Sequence, residues 1–243
     1  MNTKGKTSIK ENKPMMTAST LMRLAGLSAI LAGIGFIVVG MFHPLNIPSS
    51  VTTATWINVH IVAMVMGFFG LFGMVGLYAR QAEKSGWLGL AGFLLFSVWL
   101  ALMMPFSFVE AFILPRVVAE SPKFVAGLLG MFTGIPSEID LGILPALWKI
   151  SDPMYLLGPL LFGIATFRAG ILPRWAGALF VIGSTLAPVG ALAVPPEYQP
   201  LVLVPNGLAL AWLGFALVSE RRQKSSESLF CNLDFRRNNF QFS

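Results

Sequence analysis

The chain is predicted to be an all-α protein, a polytopic six-helix transmembrane bundle. Three observations predict this fold class: 55% of the 243 residues are hydrophobic, only 12% are charged, and the mean hydropathy is +0.73. An ordinary soluble domain has roughly 45–50% apolar and 25% charged residues. The chain therefore has too few polar side chains to cover a water-facing surface, and its apolar excess is expected to face lipid.

Six apolar stretches approach the length that crosses a hydrocarbon core of ~30 Å at 1.5 Å per residue. In order along the chain they are residues 24–42, 61–79, 87–109, 154–167, 175–194 and 201–219. The first three contain no charged residue. The fourth is short, and it spans only if it extends back to Leu141 and so includes Lys149 and Asp152.

The spans divide the chain into a membrane domain, residues 21–219, and two cytoplasmic tails, residues 1–20 and 220–243. Both tails are predicted to be disordered, because their polar composition cannot bury a core. The second tail carries the single cysteine, Cys231, which excludes a disulfide within the chain.

The distribution of basic residues predicts the threading. With six spans, 14 of the 17 Lys and Arg residues fall on one side of the membrane, two fall on the other, and Lys149 lies within the fourth helix. Short cytoplasmic loops carry the Lys and Arg excess, so both termini are predicted to be cytoplasmic. The net charge of +6 then fits an anionic lipid bilayer as the partner and requires no nucleic acid.

Three sequence segments resemble a group of bacterial multi-span membrane proteins with no assigned activity. The segments are Phe-Gly-Ile-Ala-Thr-Phe-Arg-Ala-Gly-Ile-Leu-Pro-Arg-Trp at 162–175, Gly-Leu-Tyr-Ala-Arg-Gln at 76–81, and His43-Pro44 at the end of the first span. The resemblance covers roughly residues 21–222. It implies an integral protein of the bacterial cytoplasmic membrane, and it implies no chemistry.

Glycine and proline are placed differently in the predicted bundle. Glycines recur every three residues in the second span, at Gly67, Gly70, Gly73 and Gly76, and in the third, at Gly86, Gly89 and Gly92. This pattern predicts close packing of the second helix against the third, because a missing side chain lets two backbones approach. The prolines lie in the outer half of the last four helices and are expected to kink them there; they are Pro105, Pro153, Pro188 and Pro205.

Five ionisable residues share this outer layer and are the candidate site: His43, His60, Glu110, Lys149 and Asp152. A charge within the membrane costs about 2.5–3.5 kcal/mol, so such groups usually face a cavity or a partner. We expect a polar vestibule in which Glu110 accepts charge or a proton. The alternatives are a local Lys149–Asp152 ion pair and two histidines that belong to the membrane interface, together with Trp56.

Three functions are compatible with this sequence. The leading hypothesis is a non-enzymatic protein that binds or passes a small solute or ion through the vestibule. The second is a metal-dependent hydrolase with a divalent metal on His43, His60 and Glu110, although the chain has no H-E-x-x-H motif. The third is a scaffold or regulatory subunit. No resident cofactor is predicted, and the oligomeric state stays open.

Overall fold

The computed structural model describes residues 17–219, and every regular element in this range is helical, as predicted. Both predicted tails lie outside the described residues, except at the end of the first one. There, α1 (Ala18–Phe42) begins three residues before the predicted membrane domain. The Thr17 side chain caps it by accepting a hydrogen bond from the Thr20 amide at 3.2 Å.

The longest helix, α2 (Ala54–Phe108), is two helices joined at Gly86. Gly86 has φ 56° and ψ −154°, a conformation open to glycine because it lacks a Cβ. The segments 54–85 and 87–108 fold back on each other, since the Tyr78 and Phe93 rings stack at 4.9 Å and Gly67 lies against Met104. The predicted turn between the second and third spans is therefore a break at one residue.

Shorter elements and three further long helices complete the described range. The helix after Gly86 continues through a π-helical turn (Val109–Ile113) into α3 (Leu114–Val117). Then come α4 (Pro122–Thr133), α5 (Leu144–Ala169), α6 (Arg174–Ala193), a 3-10 helix (Pro196–Val202) and α7 (203–219). The uncertain fourth span is thus a continuous helix that includes Lys149 and Asp152.

Four helical stretches within residues 17–219 are long and apolar enough to cross a membrane. They are Ala18–Phe42, Ala54–Val117, Leu144–Ala169 and Pro196–Ser219, and the second of them contains both segments of the α2 hairpin. Large apolar side chains are exposed along their outward faces, among them Leu27, Leu31, Phe68, Phe72 and Phe215. Such a surface is stable in lipid and costly in water.

The glycines do allow close helix packing, as predicted, but some of them pack on a different helix from the one predicted. Gly67 and Gly70 face the helix after Gly86, as predicted, whereas Gly73 packs on Ala29 of α1 and Gly76 on Ala25. A step of three residues turns the helix by about 300°, so a glycine stripe rotates by roughly 60° per step and reaches a second neighbour. In the same way, Gly92 packs on α5 rather than on the preceding segment.

Backbone contacts at glycines also join α7 to α1 and α5 to α6. Gly33 lies against Gly207, and Gly163 lies against Gly177. Together with α2, these contacts pack each long helix antiparallel to the next one. The Gly86 end of the packing therefore holds the α5–α6 connection and the last described residues, and the His43 end holds the π turn, α4 and the 3-10 helix.

Gly92 offers a test of this packing. A Cβ at Gly92 would collide with the Phe162 backbone and lie 2.9 Å from the Gly158 carbonyl oxygen. We expect Gly92→Leu to lower the midpoint of thermal unfolding in detergent by about 2–12 °C, since overpacking costs about 1–3 kcal/mol. Ala101→Leu is the matched control, because Ala101 lies on the same helix and is exposed. Equal midpoints for the two variants would contradict the described packing of α2 against α5.

Candidate functional site

The candidate site is built around Trp56, which lies in the first turn of α2 and is fully buried. The Thr53 side chain caps this turn by accepting a hydrogen bond from the Trp56 amide at 3.2 Å. The indole Nε1–H donates to the backbone carbonyl of Glu110 at 2.8 Å. Trp56 is therefore a structural part of the site and presents no surface to the surroundings of the helices.

Pro115 explains why the Glu110 carbonyl is free to accept this hydrogen bond. In the π turn, the Leu114 amide donates to the carbonyl of Val109 rather than to that of Glu110. The next amide along the chain would belong to residue 115, which is a proline and has no N–H. The Trp56 indole supplies the missing donor, and this satisfies a buried carbonyl that would otherwise cost about 1–3 kcal/mol.

His60 lies one helical turn after Trp56 and is 2% exposed. Its Nδ1 is 2.7 Å from the backbone carbonyl oxygen of Trp56, so Nδ1 carries a proton and donates it. The other ring nitrogen, Nε2, is 3.4 Å from Oε2 of Glu110, whose side chain is also buried. The predicted proximity of His60 and Glu110 is thus present in the structure.

In this geometry Nε2 of His60 faces the Glu110 carboxyl group at 3.4 Å without forming a hydrogen bond. With Nδ1–H committed to Trp56, a neutral imidazole would present its Nε2 lone pair to an ionised Glu110 carboxylate. Two facing lone pairs repel each other, and burial prevents water from screening the repulsion. One proton, on Nε2 or on the carboxyl group, converts the contact into an attraction. The arrangement therefore suits a one-proton site, a pair of side chains that shares a single proton.

His43 completes the polar cluster at the end of α1. Its ring lies 5.0 Å from the His60 ring, and its Nδ1 donates to the carbonyl of Pro44 at 2.7 Å. Burial lowers the pKa of His43 below its ordinary value, and the neighbouring His60 adds to this lowering. His43 is therefore neutral at pH 7, and its Nε2 is a hydrogen-bond acceptor.

The three residues line a cavity of about 270 Å³ at the His43 end, close to the smallest volumes of ligand pockets, roughly 300 Å³. Asp152 lines it too, as do the polar side chains Asn46, Ser107 and Tyr155. The walls are mostly aromatic and apolar: Val39, Ala63, Met66, Trp99, Met103, Phe106, Phe132, Trp148 and Leu203. Four of the five predicted vestibule residues therefore share one cavity.

Lys149 is the exception. It is exposed and lines a separate pocket, beneath the connection between α4 and α5, that also contains Ser137 and Pro145. Within residues 17–219, Lys149 and Asp152 form no ion pair, so the expected local pair is absent although the spacing would permit it. The cavity consequently contains carboxylates but no Lys or Arg side chain.

Helix α4 covers part of the cavity. It lies between the third and the fourth predicted spans. Val125, Leu128 and Leu129 of α4 are buried in a cluster with Trp56. Phe132 at its end lies 4.6 Å, ring to ring, from Trp148. Helix α4 and the Trp56 side chain, which contacts Glu110, thus share one apolar core.

Tyr155 and Asn206 are site residues that the sequence analysis did not identify. The Asn206 amide donates to the Tyr155 hydroxyl at 3.0 Å, and the Tyr155 ring lies 4.7 Å from Trp99 in the cavity wall. Both are polar residues within apolar helices. That signal was readable, because a polar side chain in a span usually has a partner on another helix.

The metal alternative receives no support from this geometry. Within the described part of the chain, no group of three His, Cys, Asp or Glu side chains is arranged to hold a metal ion. The histidines do present their Nε2 atoms with Nδ1–H anchored on a carbonyl, as metal-bound histidines often do. The His60–Glu110 contact is nevertheless a direct pair between the two side chains, and within residues 17–219 no third side chain completes a ligand set with them.

Comparison with known proteins gives no guide to the chemistry: no protein-family model, curated protein or solved structure matches the chain.

The Trp56 hydrogen bond can be tested with a double-mutant cycle. We expect Trp56→Phe to lower the free energy of unfolding by about 1–3 kcal/mol, because it leaves the buried Glu110 carbonyl without a donor. In a Pro115→Ala background the loss should be smaller, since residue 115 then carries an amide N–H. The free energy of unfolding is measured in mixed detergent micelles for the unmodified protein, the two single variants and the double variant.

Trp148→Phe is the control for the loss of indole volume, because the Trp148 indole has no hydrogen bond with another described residue. It should show no coupling to Pro115→Ala. Strict additivity of Trp56→Phe and Pro115→Ala would mean that the missing amide of Pro115 does not create the need for Trp56.

Proposed function

We propose that the chain is a six-span protein of the bacterial cytoplasmic membrane, related to the multi-span group that its sequence resembles. Both termini are cytoplasmic, and the cavity at the His43 end is a vestibule open to the outer face. The vestibule binds a small solute or ion and passes it on, and the His60–Glu110 pair holds a proton that is linked to binding. Proton, solute and lipid are its partners in this account.

The charge distribution supports the threading. The Gly86 end carries Arg23, Arg80, Lys84, Arg168 and Arg174, whereas the other end of the described helices carries only Arg116, Lys123 and Lys149. Trp87 and Trp175 are highly exposed at the Gly86 end, where tryptophan favours the membrane–water boundary. Four apolar stretches give six crossings in this proposal. The second stretch crosses twice, because it folds back at Gly86, and α6, with 20 residues, adds one more.

One observation carries the proposed function: a buried carboxylate and a buried imidazole meet in a cavity large enough for a solute. A membrane protein that needed only a scaffold would gain stability by replacing these groups with apolar ones. The pair is held instead by two hydrogen bonds to Trp56 and Glu110 backbone carbonyls. Such preorganisation is typical of a site that moves or exchanges charge.

Access to the vestibule is the direct test. In a Cys231→Ser background, Ser107→Cys introduces a thiol into the cavity wall at a position that is 4% exposed. We expect a membrane-impermeant thiol reagent to modify it in intact cells, from the outer face. Labelling is read by mass spectrometry of the purified protein.

Ser184→Cys is the matched control, because Ser184 is also buried, with 0% exposure, but lies in α6, outside the cavity lining. It should stay unmodified. If Ser107→Cys is modified only after the membrane is opened from the cytoplasmic side, or not at all in folded protein, the outward-facing vestibule is wrong.

A further inference from the structure

The chemical class of the solute follows from three properties of the cavity wall, and this inference rests on the proposed function. The first property is charge. Two carboxyl side chains, Glu110 and Asp152, line the cavity from different helices, and no Lys or Arg side chain does so. An anion would meet the carboxylates without a compensating charge, so the wall rejects anions.

The second property is the excess of hydrogen-bond acceptors. His43 uses its Nδ1–H on the Pro44 carbonyl and therefore presents only an acceptor, as do the carboxylates. The Tyr155 hydroxyl, which accepts a hydrogen bond from Asn206, keeps its own O–H as a donor, so the excess of acceptors comes from His43 and the carboxylates. A solute that donates several hydrogen bonds fits this wall better than one that accepts them.

The third property is the aromatic lining. Trp99, Phe106, Phe132, Trp148 and Tyr155 surround the same space. Aromatic faces attract cations by about 0.5–2 kcal/mol each, depending on how far the cation is desolvated. They also cover the apolar part of a small organic molecule.

We propose that the solute is a small organic ammonium ion, whose N–H groups bind Glu110 in exchange for the proton held by the His60–Glu110 pair. Before binding, the pair plus its proton is neutral. After binding, His60 is neutral, Glu110 is a carboxylate, and the ammonium supplies the positive charge together with N–H donors for both the carboxylate and the Nε2 lone pair of His60. The displaced proton leaves through the cavity water, so the total charge of the site stays constant.

Other titratable groups face the pair from the elements packed on it. His43 at the end of α1 is already neutral, Asp152 and Tyr155 belong to α5, and α4 and α7 contribute only Phe132 and Leu203 to the wall. Asp152 is exposed at the cavity rim, where its carboxylate attracts cations and repels anions before they reach the pair. The exchange is therefore assigned to His60 and Glu110.

A charge series of equal size tests the inference. Benzylammonium, benzyl alcohol and benzoate differ mainly in charge, and each is added to purified full-length protein in detergent at pH 7. We expect benzylammonium alone to raise the unfolding midpoint. Calorimetry in two buffers of different ionisation enthalpy should show close to one proton released per bound benzylammonium.

Glu110→Gln keeps the side-chain shape and removes the charge. It should weaken benzylammonium binding at least tenfold and abolish proton release. Glu138→Gln is the matched control, since Glu138 is an exposed carboxylate at the same end that pairs with Lys123. It should bind like the unmodified protein. Should Glu110→Gln fail to fold, Asp152→Asn at the exposed rim gives a second reading, with weaker binding and unchanged proton release.

The failures are distinguishable. If benzyl alcohol or benzoate stabilises the protein as well as benzylammonium does, the cavity binds solutes but the cation class is wrong. If benzylammonium binds without proton release, the exchange with the His60–Glu110 pair is wrong. If no probe binds while Ser107→Cys is labelled from outside, the ammonium inference fails and the vestibule stands. If Ser107→Cys is not labelled either, the proposed function fails too.

Discussion

The hydrogen bond from the Trp56 indole to the backbone carbonyl of Glu110 joins the two halves of the α2 hairpin at the end farthest from Gly86. It exists because Pro115 cannot supply an amide hydrogen to the π turn. The same Trp56 offers its own carbonyl to His60. One residue therefore fixes the backbone that carries the carboxylate and also the tautomer of the imidazole that faces it. The shared proton that we propose for His60 and Glu110 rests on this arrangement.

Lipid imposes a second constraint, because it offers no hydrophobic force to press helices together. The long helices of the described chain instead approach through glycines, with Gly33 on Gly207 and Gly163 on Gly177. The backbones are in close contact at these glycines. At the His43 end, large rings such as Trp99 and Trp148 line the cavity instead, in the layer that also contains Pro105 and Pro153.

The sequence was sufficient to predict an all-helical chain with helices apolar enough to span a membrane, and to group His43, His60, Glu110 and Asp152. Both results depend on one cost, because apolar side chains are stable in lipid and isolated charges are not. It was insufficient where a contact depends on the rotation of a side chain around its helix axis, or on a partner far away in the sequence. Lys149 is three residues from Asp152, yet its side chain turns to another pocket. Trp56 and Glu110 are 54 residues apart, and no local pattern connects an indole to a carbonyl left free by a proline. The glycine stripe changes neighbours because its three-residue period differs from the helical repeat.

The protonation of the His60 ring tests the central claim most directly. The chain contains two histidines, so protein with ¹⁵N-labelled histidine gives two ring systems in a nuclear magnetic resonance spectrum. A His43→Asn sample assigns them. The account requires a proton on Nδ1 of His60 at neutral pH and a second proton bound to, or shared by, Nε2. In Glu110→Gln the shared proton should disappear while Nδ1–H remains. A His60 ring without a proton on Nδ1, or a spectrum unaffected by Glu110→Gln, would contradict the one-proton site.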